Sequence, residues 1–162
     1  MNAAVPGTSD YTTPSDREIR VVRAFRAPRR LVYEAMSNPK HLPKWMTGPE
    51  GWTMPICEMD LRVGGKWRFV YRMPDGKEMA MQGAYREIVP QERMVSTESW
   101  GPEWPDTVNT MELTDAQQGV TIMTLTVLYP SKEARDAALG SGMKEGMDKG
   151  FARLDALLPS LA

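Results

Sequence analysis

A stripe of apolar residues at helical spacing near the carboxyl terminus constrains the fold of this chain more than any other sequence feature. Apolar side chains recur there every three or four residues, which places them along one face of an amphipathic helix. The stripe consists of Leu139, Met143, Met147, Phe151, Leu154 and Leu158. Pro130 and Ser131 precede it, and a serine at this point can accept a hydrogen bond from a free N–H group at the start of a helix. We therefore predict one long helix over residues 130–158, whose apolar face must pack against another layer.

Three glycines run beside this stripe at a spacing of four residues, namely Gly142, Gly146 and Gly150. A glycine inside a helix costs about 1 kcal/mol relative to alanine. Their repetition therefore predicts that another part of the chain comes close to the helix there. The alternative interpretation is that the helix breaks near residues 140–142.

Upstream of the helix, the sequence predicts a largely antiparallel sheet. Residues 17–26 alternate charged and apolar side chains, as expected of a first strand at a sheet edge. A short helix follows over residues 29–36, and a second short helical turn ends at Trp45. From residue 52 to residue 129 the pattern changes to short segments of period two separated by turns. This order predicts an α+β fold in which a curved antiparallel sheet of about six to seven strands wraps around the long C-terminal helix.

One hairpin in this region has a predictable register. Its strands, at residues 66–73 and 77–89, are joined by Pro-Asp-Gly at residues 74–76, which is typical of a three-residue hairpin loop. This loop pairs Tyr71 with Met79. The inner face of the hairpin then carries Trp67, Phe69, Tyr71, Met79, Met81 and Tyr85. The outer, wetter face carries Arg68, Arg72, Gln82 and Arg86.

Composition and charge exclude several classes of function. Twenty basic and 21 acidic residues leave a net charge of −1, so no overall field attracts nucleic acid or an anionic membrane. The lone cysteine, Cys57, cannot form an internal disulfide, and the lone histidine, His41, cannot build a histidine metal site. No secretory segment or membrane-spanning apolar run stands out. We expect a cytoplasmic protein that binds no metal, cofactor or nucleic acid and inserts no segment into a membrane. Residues 1–16 are expected to form a disordered N-terminal tail.

Four motifs, in order and at matching spacing, give the chain its resemblance to a known family. They are DLRVGGKW at residues 60–67, PDG at residues 74–76, GAYREIVPQER at residues 83–93 and GMKEGMDKGF at residues 142–151. Together with the order of the elements, they resemble the heat-shock-protein-90 ATPase activator-like branch of the START-like (SRPBCC) superfamily. The resemblance covers about residues 17–158. It implies a helix-grip fold. The length of 162 residues and an apolar content of 41% suit one domain, which we place at residues 17–162.

The resemblance also implies an apolar cavity between the sheet and the C-terminal helix, with Trp45 near its mouth. The 13 methionines of the chain suit either an adaptable pocket of this kind or a methionine-rich core. We predict that the cavity is lined by Trp45, Trp67, Phe69, Tyr71, Met79, Met81, Tyr85, Met123, Met143, Met147 and Phe151.

No catalytic constellation is predicted, and the candidate ionisable residues each have two interpretations. His41 is either a general base at the cavity mouth or an exposed helix histidine. Glu58 and Glu98 lie in strands among apolar neighbours. A carboxyl group that faced the cavity would have a raised pKa and could act as acid or base, whereas one that faced solvent could not. The hairpin arginines form either an anion-binding patch or a solvated face: Arg68, Arg72 and Arg86.

We expect the chain to bind a small hydrophobic molecule in this cavity rather than to catalyse a reaction. One alternative is a cyclase- or lyase-type enzyme that uses the same cavity. Another is a chaperone-linked interaction module, whose partners would be a chaperone or a second copy of the chain. Direct ATPase stimulation is disfavoured, because the sequence leaves no room for the activator's separate N-terminal chaperone-binding domain. The loop at residues 100–105 contains two tryptophans and is expected to fold over something other than solvent.

Overall fold

Within residues 5–162, which the computed structural model describes, the chain forms eight β-strands and four α-helices. The strands are β1 (Ser9–Thr12), β2 (Glu18–Phe25), β3 (Thr53–Met59), β4 (Lys66–Arg72), β5 (Glu78–Val89), β6 (Arg93–Glu98), β7 (Thr107–Asp115) and β8 (Thr121–Leu128). The helices are α1 (Arg29–Ser37), α2 (Leu42–Trp45), α3 (Lys132–Leu139) and α4 (Met143–Leu161). None of these helices is long and apolar enough to cross a membrane.

All eight strands belong to one antiparallel sheet in the order β1-β2-β8-β7-β6-β5-β4-β3. Helix α4 lies against the inner face of this sheet, and the ring of Phe151 meets that of Phe25 edge-on at 6.0 Å between centroids. The buried residues of both layers form one core. This arrangement confirms the predicted α+β helix-grip fold, although the sheet has more strands than expected.

The additional strand comes from the segment that was expected to be disordered. Ser9–Thr12 pair with β2, so that Ser9 lies opposite Arg23 and Thr12 opposite Arg20. Residues 1–4 of the expected tail lie outside the described residues. Because β1 covers one side of β2 and β8 the other, β2 is not the edge strand that its partly charged pattern indicated. One of those charges, Arg23, is instead buried on the inner face.

The central hairpin has the predicted register. Tyr71 pairs with Met79, Phe69 with Met81 and Trp67 with Gly83. The backbone N–H of Met73 donates to the carbonyl of Lys77 at 2.8 Å, and Gly76 supplies the left-handed residue of the loop with φ of 90°. Of the residues predicted for the inner face all but the partly exposed Met79 are buried, and those predicted for the outer face are exposed.

The C-terminal segment is two helices, so the prediction of one continuous helix is wrong and the alternative of a break is correct. Helix α3 begins at the predicted cap, where Ser131 accepts a hydrogen bond from the N–H of Ala134 at 3.1 Å. It ends at Leu139, and Gly142 then adopts φ of 83° before α4 begins. A side chain at Gly142 would be strained in this left-handed conformation, which explains the glycine and the break together.

The other two glycines differ in their surroundings. A side chain at Gly150 would come within 3.6 Å of the carbonyl oxygen of Trp45, so α4 does approach α2 there. Nothing in the described part of the chain lies within 4 Å of the place where a side chain would start at Gly146. The predicted close approach is therefore present at one glycine and not at its neighbour.

One end of the inner face is closed by an ion pair among aromatic rings. The guanidinium of Arg23 donates to Asp155 on α4 at 2.7 Å and to Ser9 at 2.8 Å. Its central carbon lies 5.4 Å from the centre of the Phe151 ring and 5.7 Å from that of Phe25. Together with the buried Leu154 and Leu158, this contact fastens the C-terminal half of α4 to the sheet.

Candidate functional site

A group of polar and aromatic side chains lies on the inner face at the end of the sheet opposite Arg23 and Asp155. At this end β4, β6 and β8 finish and β5 and β7 begin. We call this the open end, because the pair of Arg23 and Asp155 closes the other one. Strand pairing places Tyr71 beside Met79 there, and Glu98 beside Thr107. We define the Glu98 cluster as Tyr71, Glu98, Trp100, Thr107, Asn109 and Tyr129.

Glu98 is a partly buried carboxyl group whose neighbours donate hydrogen bonds to it. The hydroxyl of Thr107 donates to Glu98 Oε2 at 3.3 Å. Removal from water raises the pKa of Glu98 above its ordinary value, and hydrogen bonds from Trp100, Asn109 and Thr107 oppose that shift in part. Asn109 Oδ1 is buried and has no hydrogen-bond partner among residues 5–162. An amide orientation that gives Glu98 a donor leaves this oxygen as a free acceptor.

Aromatic side chains surround this carboxyl group. The ring of Tyr71 lies between those of Trp52, at 6.3 Å and edge-on, and Trp100, at 6.2 Å and nearly parallel. Burial and then the charge of Glu98 raise the pKa of Tyr71, and the same two causes raise the pKa of Tyr129 to about 12. The hydrogen bond from the buried Thr107 and the effect of the Glu98 charge on two buried phenols both agree with a carboxyl group that faces the inside of the protein.

The other ionisable candidates do not join this cluster. The side chain of Glu58 is 69% exposed and lies 3.8 Å from Arg68, so of the two glutamates only Glu98 fits the inward interpretation. Arg72 pairs with Glu78 at 2.8 Å, and Arg68 and Arg86 are exposed, which agrees with a solvated outer face. These arginines do not form an unpaired patch.

His41 lies at the start of α2 and has little to support a catalytic role. Its Nε2 atom is 3.6 Å from a carboxyl oxygen of Glu34, which is itself half exposed. Its Nδ1 atom is buried and has no partner in the part of the chain that the structure describes. Neither contact orients the imidazole towards the Glu98 cluster.

The predicted cavity residues divide into two groups. Eight of them belong to one buried core cluster: Trp45, Trp67, Phe69, Tyr71, Met81, Tyr85, Met123 and Phe151. Met147 is partly exposed and packs against that cluster, whereas Met79 and Met143 are partly exposed and lie outside it. The partly exposed methionines come from the beginning of β5 and the first turns of α4.

Trp45 lies in the closed core rather than at a mouth. Its indole N–H donates to the carbonyl of Ala35 at 2.9 Å, and its ring stacks on Phe151 at 6.4 Å. Only 7% of the residue is exposed. The resemblance implied that Trp45 borders the mouth of a cavity. In the structure Trp45 is a buried residue that joins α1, α2 and α4.

A concavity of about 650 Å³ lies elsewhere on the sheet. Residues of β3, β4, β5 and β6, the segments beside them and Asp106 line it, and these residues include the polar side chains of Lys66, Arg68 and Gln82. Glu98 lies at its boundary, while its carboxyl group contacts Thr107. Since α4 contributes nothing to its lining, this concavity is not the cavity expected between sheet and helix.

Sequence reasoning singled out Glu98 and the tryptophan loop but missed Asn109, Thr107 and Trp52. Asn109 and Thr107 alternate with Met111 along β7, and this period-two pattern was a usable signal that they share the inner face. The contribution of Trp52, which precedes β3, depends on its contact with Tyr71. Among residues 5–162, no group of histidine, cysteine and carboxylate side chains could hold a metal ion.

Comparisons with known proteins agree with this fold. The family model described as Activator of Hsp90 ATPase homolog 1-like protein matches residues 26–159. A solved protein from Rhodobacter sphaeroides is 27% identical with a TM-score of 0.89, and the match covers 96% of this chain and 100% of that one. One from Chromobacterium violaceum is 29% identical with a TM-score of 0.74, over 86% of this chain and 96% of its own.

A further solved protein, from Nitrosomonas europaea, has a TM-score of 0.81 at 24% identity, over 91% of this chain and 97% of its own, and shows the shared fold alone. No curated protein matches the chain. Because the family model covers most of the sequence and the helix-grip fold agrees with it, the chain belongs to the START-like (SRPBCC) family described as Activator of Hsp90 ATPase homolog 1-like protein.

Proposed function

We propose that this protein binds a small, largely apolar molecule between the inner face of its sheet and the N-terminal half of α4. The observation that carries the proposal is the open end, where the Glu98 carboxyl group contacts the buried Thr107 beside the aromatic rings of Tyr71 and Trp100. Apolar walls with a few polar anchors are the usual composition of small-molecule sites.

The two halves of α4 differ in a way that suits binding. Phe151, Leu154 and Leu158 are buried and hold the closed end of the core, whereas Met143 and Met147 are partly exposed. Methionine has an unbranched, polarisable side chain that adapts its shape to a neighbour. We therefore place the ligand beside the methionines, where side chains can move apart without disturbing the close-packed end.

Titration with N-phenyl-1-naphthylamine, a neutral apolar fluorophore, tests this proposal. We expect saturable binding with one site per chain. Met147→Trp should weaken it about tenfold, or about 1.4 kcal/mol, because the larger side chain occupies the proposed site. Lys149→Trp places the same residue at an exposed position of α4 and serves as the matched control.

Circular dichroism should show that both variants are folded before affinities are compared. Absence of saturable binding by the wild-type protein would reject the proposal. Equal affinities for wild type and both variants would place the fluorophore elsewhere and reject the proposed location.

A second candidate, an enzyme of the cyclase or lyase type, is favoured by Glu98 itself. A carboxyl group with a raised pKa keeps its proton to a higher pH than an exposed glutamate and can donate it to a bound molecule. Turnover of a bound compound that is lost in Glu98→Gln and kept in Glu58→Gln would support this candidate over simple binding.

Partner contacts and location remain part of the proposal. The edge strand β3 and the turn after it expose Ile56, Leu61 and Val63, and Val63 is 63% exposed. These side chains are where we would look for contact with a chaperone or a second copy of the chain. The lone cysteine suits a reducing compartment, and we propose that the chain acts there as a single cytoplasmic domain, which joins β1 to residues 17–162.

A further inference from the structure

In the Glu98 cluster, hydrogen-bond donors have partners while at least one buried acceptor has none. The hydroxyl of Thr107 donates to the carboxyl group of Glu98 at 3.3 Å, and Trp100 and Asn109 lower the pKa of that group as hydrogen-bond donors. The buried Asn109 Oδ1 is left as an acceptor without a partner within residues 5–162. A carboxylate can accept about four hydrogen bonds through its two oxygens, and the hydroxyl of Thr107 takes one of these sites. The cluster therefore has acceptors to offer to a ligand, while its donors are already engaged.

The aromatic rings beside these acceptors also favour a positively charged ligand group. The faces of Tyr71 and Trp100 carry negative partial charge and attract cations that come near them. The ring of Tyr71 has two aromatic neighbours, with centroid distances of 6.2 Å to Trp100 and 6.3 Å to Trp52. Carboxylate, amide oxygen and ring faces would all be complementary to a positively charged donor.

The ionisable groups whose pKa the charge of Glu98 raises do not neutralise that charge. They are Tyr71 and Tyr129, both phenols whose own pKa values are raised and which stay neutral at physiological pH. No lysine or arginine in the described part of the chain forms an ion pair with Glu98. Its buried position favours taking up a positive charge, which either a proton or a bound cation can supply.

We propose that the molecule bound at the open end carries a protonated amine on an apolar body, with the ammonium group at Glu98 and Asn109 Oδ1 and beside the rings of Tyr71 and Trp100. This inference rests on the proposed ligand-binding function and adds the chemical class of the ligand. The apolar body extends from the cluster towards Met143 and Met147.

Three compounds with the same chain test the inference: octylamine, 1-octanol and octanoate, each titrated by calorimetry into the wild-type protein. A charged donor that meets a partly buried carboxylate is held more strongly than a neutral one. We expect octylamine to bind about tenfold more tightly than 1-octanol and octanoate to bind most weakly. In Glu98→Gln, octylamine should lose this advantage while 1-octanol keeps its affinity.

Glu58→Gln is the matched control, since it removes the same charge from the exposed outer face and should leave the order unchanged. Equal binding of octylamine and 1-octanol, or tighter binding of octanoate, by the wild-type protein would overturn the amine inference while leaving the proposed function intact. Failure of all three compounds and of N-phenyl-1-naphthylamine to bind would reject both. Because these comparisons use the wild-type protein, they hold even if Glu98→Gln does not fold.

Discussion

At the scale of single residues, Glu98 and Arg23 show two ways of placing a charge on the inner face of the sheet. Arg23 meets a carboxylate, Asp155, at 2.7 Å and is nearly fully buried. Glu98 meets only neutral donors, so its burial acts mainly on its pKa. A buried pair fastens two elements together, whereas a buried carboxyl without an opposite charge is typical of a functional position.

This difference predicts how Glu98 affects stability with pH. The pKa of Glu98 in the folded protein lies above the ordinary value of 4.5, so above pH 4.5 the folded state binds more protons than the unfolded chain. Its contribution to stability is therefore complete below about pH 4.5 and falls as pH rises through the folded pKa. Glu98→Gln does not titrate and lacks this loss.

Chemical denaturation of both proteins between pH 4 and pH 8 measures the effect. The stability of the wild type relative to Glu98→Gln should fall with rising pH across this window and then level off. The phenols of Tyr71 and Tyr129 do not titrate in this range. A difference that stayed constant with pH would contradict the burial of the Glu98 carboxyl.

At the scale of elements, the three glycines of the C-terminal helices have different structural roles. Gly142 allows the left-handed turn between α3 and α4, and Gly150 allows α4 to lie close to Trp45. Gly146 has neither task, because it is exposed and no described atom lies near its missing side chain.

Gly146→Ala should therefore stabilise the protein by about 0.5–1 kcal/mol, since alanine restricts the unfolded chain and favours the helix. Gly142→Ala should destabilise it by roughly 1–2 kcal/mol, because φ of 83° strains an L-residue. Denaturation midpoints at constant slope give both values. A loss of stability in Gly146→Ala would reveal a close neighbour of α4 at this position.

The two halves of α4 should also respond differently to truncation. Leu154 is fully buried, and its replacement by alanine should cost about 2–5 kcal/mol. Met143 is partly exposed and lies outside the core cluster, so Met143→Ala should cost about 1 kcal/mol or less. Equal and large losses in urea denaturation would mean a filled interior around Met143, and the binding proposal would then give way to the interaction module.

At the scale of the whole molecule, the N-terminal segment ties the sheet to both C-terminal helices. The hydroxyl of Tyr11 in β1 donates to Asp148 on α4 at 2.7 Å. The guanidinium of Arg135 on α3 donates to the backbone carbonyl of Ser15 at 2.7 Å. These contacts lie beside the start of α4, and they hold the helix end that borders the proposed site.

Deletion of residues 1–12 should consequently lower the free energy of unfolding by roughly 1–3 kcal/mol, since it removes several hydrogen bonds of about 1 kcal/mol each. Tyr11→Phe removes only the hydroxyl and should cause a smaller loss. Thermal and urea denaturation of the two variants test this order. A deletion variant as stable as the full chain would show that β1 contributes nothing to the fold in solution.

The sequence by itself determined the features that depend on neighbours along the chain. The register of the central hairpin follows from a three-residue loop between alternating strands, and the start of α3 follows from Ser131. The family and its helix-grip fold follow from motifs spread over most of the chain. Each of these rests on local geometry or on the order of elements, which sequence patterns record.

Only the tertiary structure decided which residues meet across strands. Glu58 and Glu98 have similar sequence surroundings, yet pairing places one beside the exposed Arg68 and the other beside the buried Thr107. Ser9–Thr12 have a weak strand pattern and become a strand because β2 offers a free edge. The Glu98 cluster likewise joins residues from three strands and two loops. Such contacts depend on distances in space between segments far apart in sequence, and no local pattern specifies them.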